Sequence, residues 1–338
     1  MQGLRRRRAS VQLHEVSYQG APSILGRLWA MTKLQLKILP RLRSVDVVYV
    51  RWHFMSVLVV VASRLLNRPV VIEVNGNFDD AYVAWPTLRR VAVVVEASSR
   101  WQLRLATGTI CVTEELATWV RQQGCRGALE VITNGADTER FRPGLNRSRL
   151  VGEDLDYVVF FGALSKWQGI PSIIESARDV HWPDGLHLVI AGDGADRDIV
   201  CAAAASLDHV HYLGSVDYSD VAPLVANAVA SLIVKEGEFS TGLMPLKLFE
   251  SLASGVPVIV TDYPGIANVV RSTDAGFVVA PGDVEAIVDA VTAVTRLPEA
   301  ARAKGGRGRT WVVQGQSWDA RAGQTLQLLQ QLVTRPPV

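Results

Sequence analysis

Short apolar runs of strand length alternate with helix-periodic segments along most of this chain, and that alternation restricts its fold more than any other feature. Val45–Val50 reads as a strand, residues 54–66 as a helix, and Pro69–Val74 as a second strand ending at Asn75-Gly76. Thr109–Thr113, the helix Glu114–Gln123 and the strand Leu129–Ile132 follow. The rhythm resumes with Tyr157–Phe161, Leu186–Ala191, Val210–Leu213, Val256–Val260 and the GFVV at 276–279, then an amphipathic helix over 284–296. Such strands are apolar on both sides, as in sheets covered on two faces, and strands alternating with helices imply parallel order. The expected class is α/β, doubly wound, with ligands beyond the carboxyl ends of the strands. At 338 residues the chain is long enough for two such domains, each with its own core.

Composition removes several functions. Lys+Arg 35 against Asp+Glu 33 leaves a net charge of +2, and hydrophobic residues make up 49%, which fits a globular enzyme rather than a nucleic-acid binder or a disordered chain. Cys111, Cys125 and Cys201 are far apart, with neither zinc spacing nor a disulfide framework, so a reducing, cytoplasmic compartment is expected. No apolar run approaches the ~18–20 residues of a membrane helix. Arg5–Arg8 are not followed by the apolar stretch of a secretory signal. Asp79-Asp80 lack the further ligands of an acidic metal site, so no metal and no cofactor are expected.

The densest chemistry lies in EGEFSTGLMPLKLFESLASGVPVIVTD, residues 236–262. Pro245 suits the first turn of a helix whose apolar face is Leu246, Leu248, Phe249, Leu252 and Ala253, with Gly255 as its C-cap. Lys247 and Glu250 are three apart and share a side. A helix N-terminus carries free N–H groups and partial positive charge, so it can hold a phosphate, and Lys247 adds a full charge. Glu250, a turn deeper, can accept hydrogen bonds from a ribose diol. An isolated KxxE reads first as a surface ion pair on an ordinary helix.

The wider string PLKLFESLASGVPVIVTD resembles the donor-site segment of GT-B glycosyltransferases of the family 4 type (glycosyl transferases group 1). ITNGADTERFRPG, residues 132–144, resembles that family's interdomain junction. The resemblance implies two Rossmann-like domains facing a central cleft. These are an acceptor-side domain over 1–145, a nucleotide-sugar domain over 146–315 beyond a linker near 142–155, and a helix over 316–338 crossing back to the first domain. Trp318 is expected to pack in that crossing. The family's opening strand and glycine-rich turn find no room before Val11, Leu13 and Val16, which read as a strand, so the first strand is expected to be missing.

The same resemblance implies the roles. Gly162, the Gly192-Asp193-Gly194 turn, Val216, Leu246, Lys247 and Glu250 would bind the donor, with Val216 near the base. Lys166 and Lys247 would stabilise the leaving diphosphate, since Ala163 and Gln168 stand where the family often has an arginine and a lysine. Asn75 takes the place of a histidine that contacts the donor sugar; it hydrogen-bonds but cannot shuttle protons near neutral pH. His53 reads as its substitute or as a structural histidine. Arg51, His53 and Gly76 would line the acceptor side. Gly242 falls where the earlier of two family glutamates would stand.

The expected activity is retaining, metal-independent transfer from a nucleotide sugar to a glycan or lipid-linked acceptor. The alternative is a non-catalytic nucleotide-sugar-binding subunit of a glycosyltransferase complex, favoured by Gly242, Asn75 and Ala163. A dehydrogenase would need GxGxxG after a strand, which is missing, and an epimerase would need a carboxylate and histidine cluster that does not stand out. Residues 25–43 pair Leu25, Leu28, Trp29, Leu34, Ile38 and Leu39 with Arg27, Lys33, Lys37, Arg41 and Arg43. They read either as a basic core-packing helix or as a peripheral contact with the inner face of the membrane. FDDAYVAWPTLRR, in the less regular stretch 77–99, reads as an acceptor-side loop.

Overall fold

The computed structural model describes residues 10–15, 24–152 and 155–334. By internal contacts the chain divides into two units, residues 1–133 with 319–338, and residues 134–318. Each is built on one parallel sheet with helices.

The first unit holds β1 (Val48–Arg51), β2 (Val70–Val74), β3 (Gly108–Cys111) and β4 (Ala128–Val131), in that spatial order and all parallel. Of the Val70–Val74 strand only Glu73 is not fully buried, as the continuous apolar run requires. The helices Val57–Leu65 and Ala92–Leu105 pack together beside this sheet. The final helix, Trp318–Thr334, returns here: Leu328, Leu329 and Leu332 pack against Val71, Ile110 and Ile132. Burying each such leucine contributes on the order of 2 kcal/mol, which fixes the tail to the first sheet. Trp318 lies outside that cluster: it is 43% exposed, and its backbone N–H donates to the Ala136 carbonyl at 3.0 Å.

One further expectation changes in this unit, and one left open is narrowed. Residues 10–15 carry no strand, while Val16 and Arg5–Arg8 lie outside the described residues. The Ile24–Ile38 helix does not bury Trp29. It is anchored by Met31 and by Gln35, whose amide donates to the Met55 carbonyl at 2.8 Å and accepts from the Val59 N–H at 3.3 Å. Trp29 is left 65% exposed, with the Lys33 ammonium 4.8 Å from its ring centroid.

The second unit holds β5 (Asp156–Phe161), β6 (Leu186–Ala191), β7 (Val210–Gly214), β8 (Ala230–Ile233), β9 (Val258–Thr261) and β10 (Gly276–Val279). Their spatial order is β10-β9-β8-β5-β6-β7, all parallel. The chain winds outward from β5 to β7, then starts again at β8 on the other side of β5. Alternate residues feed two cores: Val158, Phe160, Ile190 and Leu232 on one face, Tyr157, Val159, Phe161 and Val189 on the other. The helix Leu246–Ala253 buries Leu248, Phe249 and Leu252 in the latter core. Pro245 is its N-cap rather than a first-turn residue, with ψ at 146°. Ser254 is the C-cap, and Gly255 follows with φ +74°. Phe141 is fully buried in this unit's core, and the side-chain amide of Asn134 donates to the Met244 carbonyl at 2.6 Å, tying the NG turn to the loop before the helix.

Candidate functional site

The strand order reverses between β5 and β8, and in open α/β sheets that reversal opens a crevice beyond the carboxyl ends of the two strands. Gly162 is the first residue after β5, and Lys235 follows β8 by two. The floor is backbone. A Cβ on Gly192 would lie 1.8 Å from the Gly162 carbonyl oxygen, and one on Gly194 would lie 2.7 Å from that of Leu164. Close approach of the β5 and β6 ends therefore needs glycine, and with φ +142° and +154° these positions also favour it. Above the floor, the space a side chain at Gly162 would enter is taken by the Lys247 ammonium, 3.3 Å from that Cβ position.

Lys247 and Lys235 are both buried. Their ammonium groups share one acceptor, Gln168 Oε1, at 3.3 Å from Lys247 Nζ and 2.5 Å from Lys235 Nζ. Gln168 is placed by the short 3₁₀ turn Lys166–Gln168. Lys247 Nζ also lies 3.9 Å from the Phe160 ring centroid. Burial pushes the Lys235 ammonium down to about 8, and burial together with the Lys235 charge holds Lys247 well below the usual lysine range, with Glu250 opposing. Two buried like charges with one neutral acceptor form a site short of negative charge. Lys166, by contrast, is exposed and outside this cluster. Lys235 was not legible as a site residue, since it lies in no motif and its burial comes from the fold.

Glu250, buried one turn along the helix from Lys247, accepts a hydrogen bond from the Tyr218 hydroxyl at 2.9 Å. Desolvation raises its pKa, opposed by that hydrogen bond and by Lys247. Tyr218 begins the helix Tyr218–Ala226, and the Arg140 guanidinium lies 4.7 Å over its ring. No side chain caps the helix Leu246–Ala253. Leu246 is exposed at its start, while Val216 packs partly buried against the core. Gly242 has φ +78°, where glycine is at ease. Thus Gly162, Gly192, Gly194, Lys247 and Glu250 come together in one unit, joined by Lys235, Gln168 and Tyr218.

The first-unit candidates lie at the carboxyl ends of β1 and β2. The Asn75 amide donates to Glu73 Oε1 at 2.8 Å, and Tyr49 donates to Glu73 Oε2 at 2.6 Å. His53 Nδ1 accepts from the Met55 N–H at 3.2 Å, and burial lowers its pKa. Gly76 abuts the Asn77–Asp80 capping box, where a Cβ would meet Asp80 Oδ2 at 2.3 Å. Arg51 is exposed at the end of β1. Among the described residues no group of His, Cys, Asp and Glu is arranged to hold a metal ion.

Comparison with known proteins bears on the family and the fold. Residues 156–296 match the family described as Glycosyl transferases group 1, and residues 2–140 match Glycosyltransferase Family 4. The chain is 24% identical over 314 residues to glycogen synthase of Mycobacterium tuberculosis, covering 90% of this chain and 73% of that one. It is 28% identical over 249 residues to the GDP-mannose-dependent alpha-(1-6)-phosphatidylinositol monomannoside mannosyltransferase of the same organism, covering 67% and 63%. Among solved structures, Anabaena Alr3699/HepE in complex with UDP shares the fold with a TM-score of 0.73 at 17% identity, covering 88% of this chain and 82% of that one.

Proposed function

We propose that this chain, which belongs to the group 1 (family 4) glycosyltransferases of GT-B fold and acts on nucleotide sugars, seats its donor diphosphate at the β5/β8 reversal. The observation that carries this reading is the pair of buried ammonium groups of Lys235 and Lys247 on one amide oxygen. A diphosphate would supply the negative charge they lack. Glu250 would take the ribose diol through Oε2 and the remaining lone pairs of Oε1, beside the Tyr218 hydroxyl. The lysines and the helix N-terminus then stabilise the leaving group electrostatically, with no metal in the scheme. Transfer with retention follows the family resemblance. The acceptor is a glycan or a lipid-linked sugar, met on the cytoplasmic side, in keeping with the free cysteines Cys111, Cys125 and Cys201. Asn75, held by Glu73, remains the candidate for the sugar contact on the first unit, and Lys166, exposed in the second, the further candidate for the diphosphate.

Calorimetry with UDP-, GDP- and ADP-sugars in EDTA tests the seat. A bound diphosphate favours the charged lysines, so it raises their pKa values. Binding should therefore take up protons near pH 8 and weaken as the pH rises through about 8, where Lys235 loses its proton in the free protein. Affinity that stays flat from pH 7 to 9, with no proton uptake, would exclude these amines as the diphosphate seat.

Tyr218→Phe probes the ribose contact. The hydroxyl lowers the Glu250 pKa, so its removal should raise that pKa further. The acid limb of donor affinity should move to higher pH, with about a ten-fold loss below the limb and less above it. Titrations from pH 5 to 8 check this; an unmoved limb would mean Glu250 does not need its charge for binding.

A further inference from the structure

Charge is unevenly spread along the chain. Residues 24–105 hold 12 of the 35 Lys+Arg but only 5 of the 33 Asp+Glu. Of those five, Glu96 is paired with Arg100 at 2.8 Å, Asp80 belongs to a capping box, and Glu73 is bonded to Tyr49 and Asn75. The helices of this segment form one continuous layer. Gln35 bridges Ile24–Ile38 to the start of Val57–Leu65, and Gln102 and Ser98 of Ala92–Leu105 bond the Phe54 carbonyl just before it. The outer surface of this layer is apolar where solvent-facing helices are normally polar. Val93 is 83% exposed, Val94 66% and Trp85 52%, and Val91 is exposed between them. Arg89 and Arg90 stand exposed in the same turn, Pro86–Val91, and no acidic residue sits in the first turn of the helix that follows. Trp29 and Leu36 are likewise exposed on the first helix, which also carries Lys33 and Lys37.

We propose that this helical layer docks on an anionic lipid bilayer, with Trp85, Val91, Val93 and Val94 entering the interface and Arg89 and Arg90 meeting the headgroup phosphates. Tryptophan and branched aliphatic side chains between arginines are the composition of a segment lying in the membrane interface, and each basic residue near an anionic surface adds attraction. The charge excess selects the occupant: a second copy would bring the same positive face to this one, whereas acidic lipid is complementary. The surface is centred on the turn at 86–91. It stands independently of the donor site.

The test is flotation of the full chain with neutral phosphatidylcholine vesicles and with vesicles containing phosphatidylglycerol. Partition should be about ten-fold or more greater on the anionic vesicles and should fall steeply as salt is raised. Arg89→Glu with Arg90→Glu should abolish the preference. Val93→Ser with Val94→Ser should release the protein while leaving its charge intact. All four side chains are exposed, so an unchanged thermal melt confirms that the fold persists. Equal partition on neutral vesicles, no partition, or variants that bind like the parent would overturn the proposal. So would a dimer on gel filtration that the same substitutions dissociate, which would give the face to a second copy.

Discussion

Lys247→Met should lower sugar transfer by about 10³-fold while leaving the protein as stable as the parent, or more so. The two halves of this result have one cause. The ammonium is buried against the Phe160 ring and Gly162, and its nearest cation, Lys235, shares its acceptor. In the free protein that arrangement costs stability, because burial and the neighbouring charge both disfavour the charged form. Methionine fills nearly the same volume without the charge, so the fold loses little packing and sheds an electrostatic penalty. In the reacting complex the charge is used. Negative charge gathers on the leaving diphosphate, and a preorganised cation in a site closed to water is worth about 10²–10³ in rate. Nucleotide release in a coupled assay, together with a thermal melt, separates the two effects. A melting point that fell along with activity would assign Lys247 a packing role. Lys235→Met should show the same pattern more weakly, since Lys235 stands beyond Gln168 from Gly162.

Apart from β8 (Ala230–Ile233), which was not read from the sequence, the strands and the helix Leu246–Ala253 were legible because their signals are local: apolar runs bounded by turns, and an apolar face at helical spacing closed by glycine. The cation pair was not. Lys235 and its partner Gln168 are 67 residues apart, and only the β5/β8 adjacency brings them together. Gln168 looked like the loss of a family lysine, whereas the fold delivers an ammonium to the same place from another strand. Tyr218 was invisible for a like reason, 32 residues from the carboxylate it serves. The helix Pro298–Gly315 was hidden by Gly305 and Gly308, which lower helix propensity but admit close packing. A Cβ on Gly305 would lie 2.0 Å from the Gly255 oxygen, and one on Gly308 2.6 Å from Leu252. For Trp29 the sequence left both sides of its helix open; the helix is anchored through Gln35, which bonds backbone groups of Met55 and Val59, and Trp29 stays exposed.

Gly192→Ala should be the most destabilising single substitution at the site, costing about 3 kcal/mol or more and abolishing donor binding with it. The methyl group would arrive 1.8 Å from the Gly162 oxygen, and backbone on that side cannot rotate away as a side chain can. The φ of +142° adds strain of its own for any L side chain. Gly185→Ala is the matched comparison: φ is +72°, but nothing lies within 4 Å of its Cβ position, so only the left-handed penalty of about 1 kcal/mol applies. Denaturant melts followed on the second unit should therefore rank Gly192→Ala well below Gly185→Ala, and equal losses would mean the contact relaxes freely. The comparison bears on function because the same contact joins the ends of β5 and β6 under Lys247. Opening the turn to admit a methyl would move Gly162, and with it the wall against which the ammonium is held. A variant that still folds should then lose donor affinity beyond its loss of stability, since the lysine would keep its charge but lose its position.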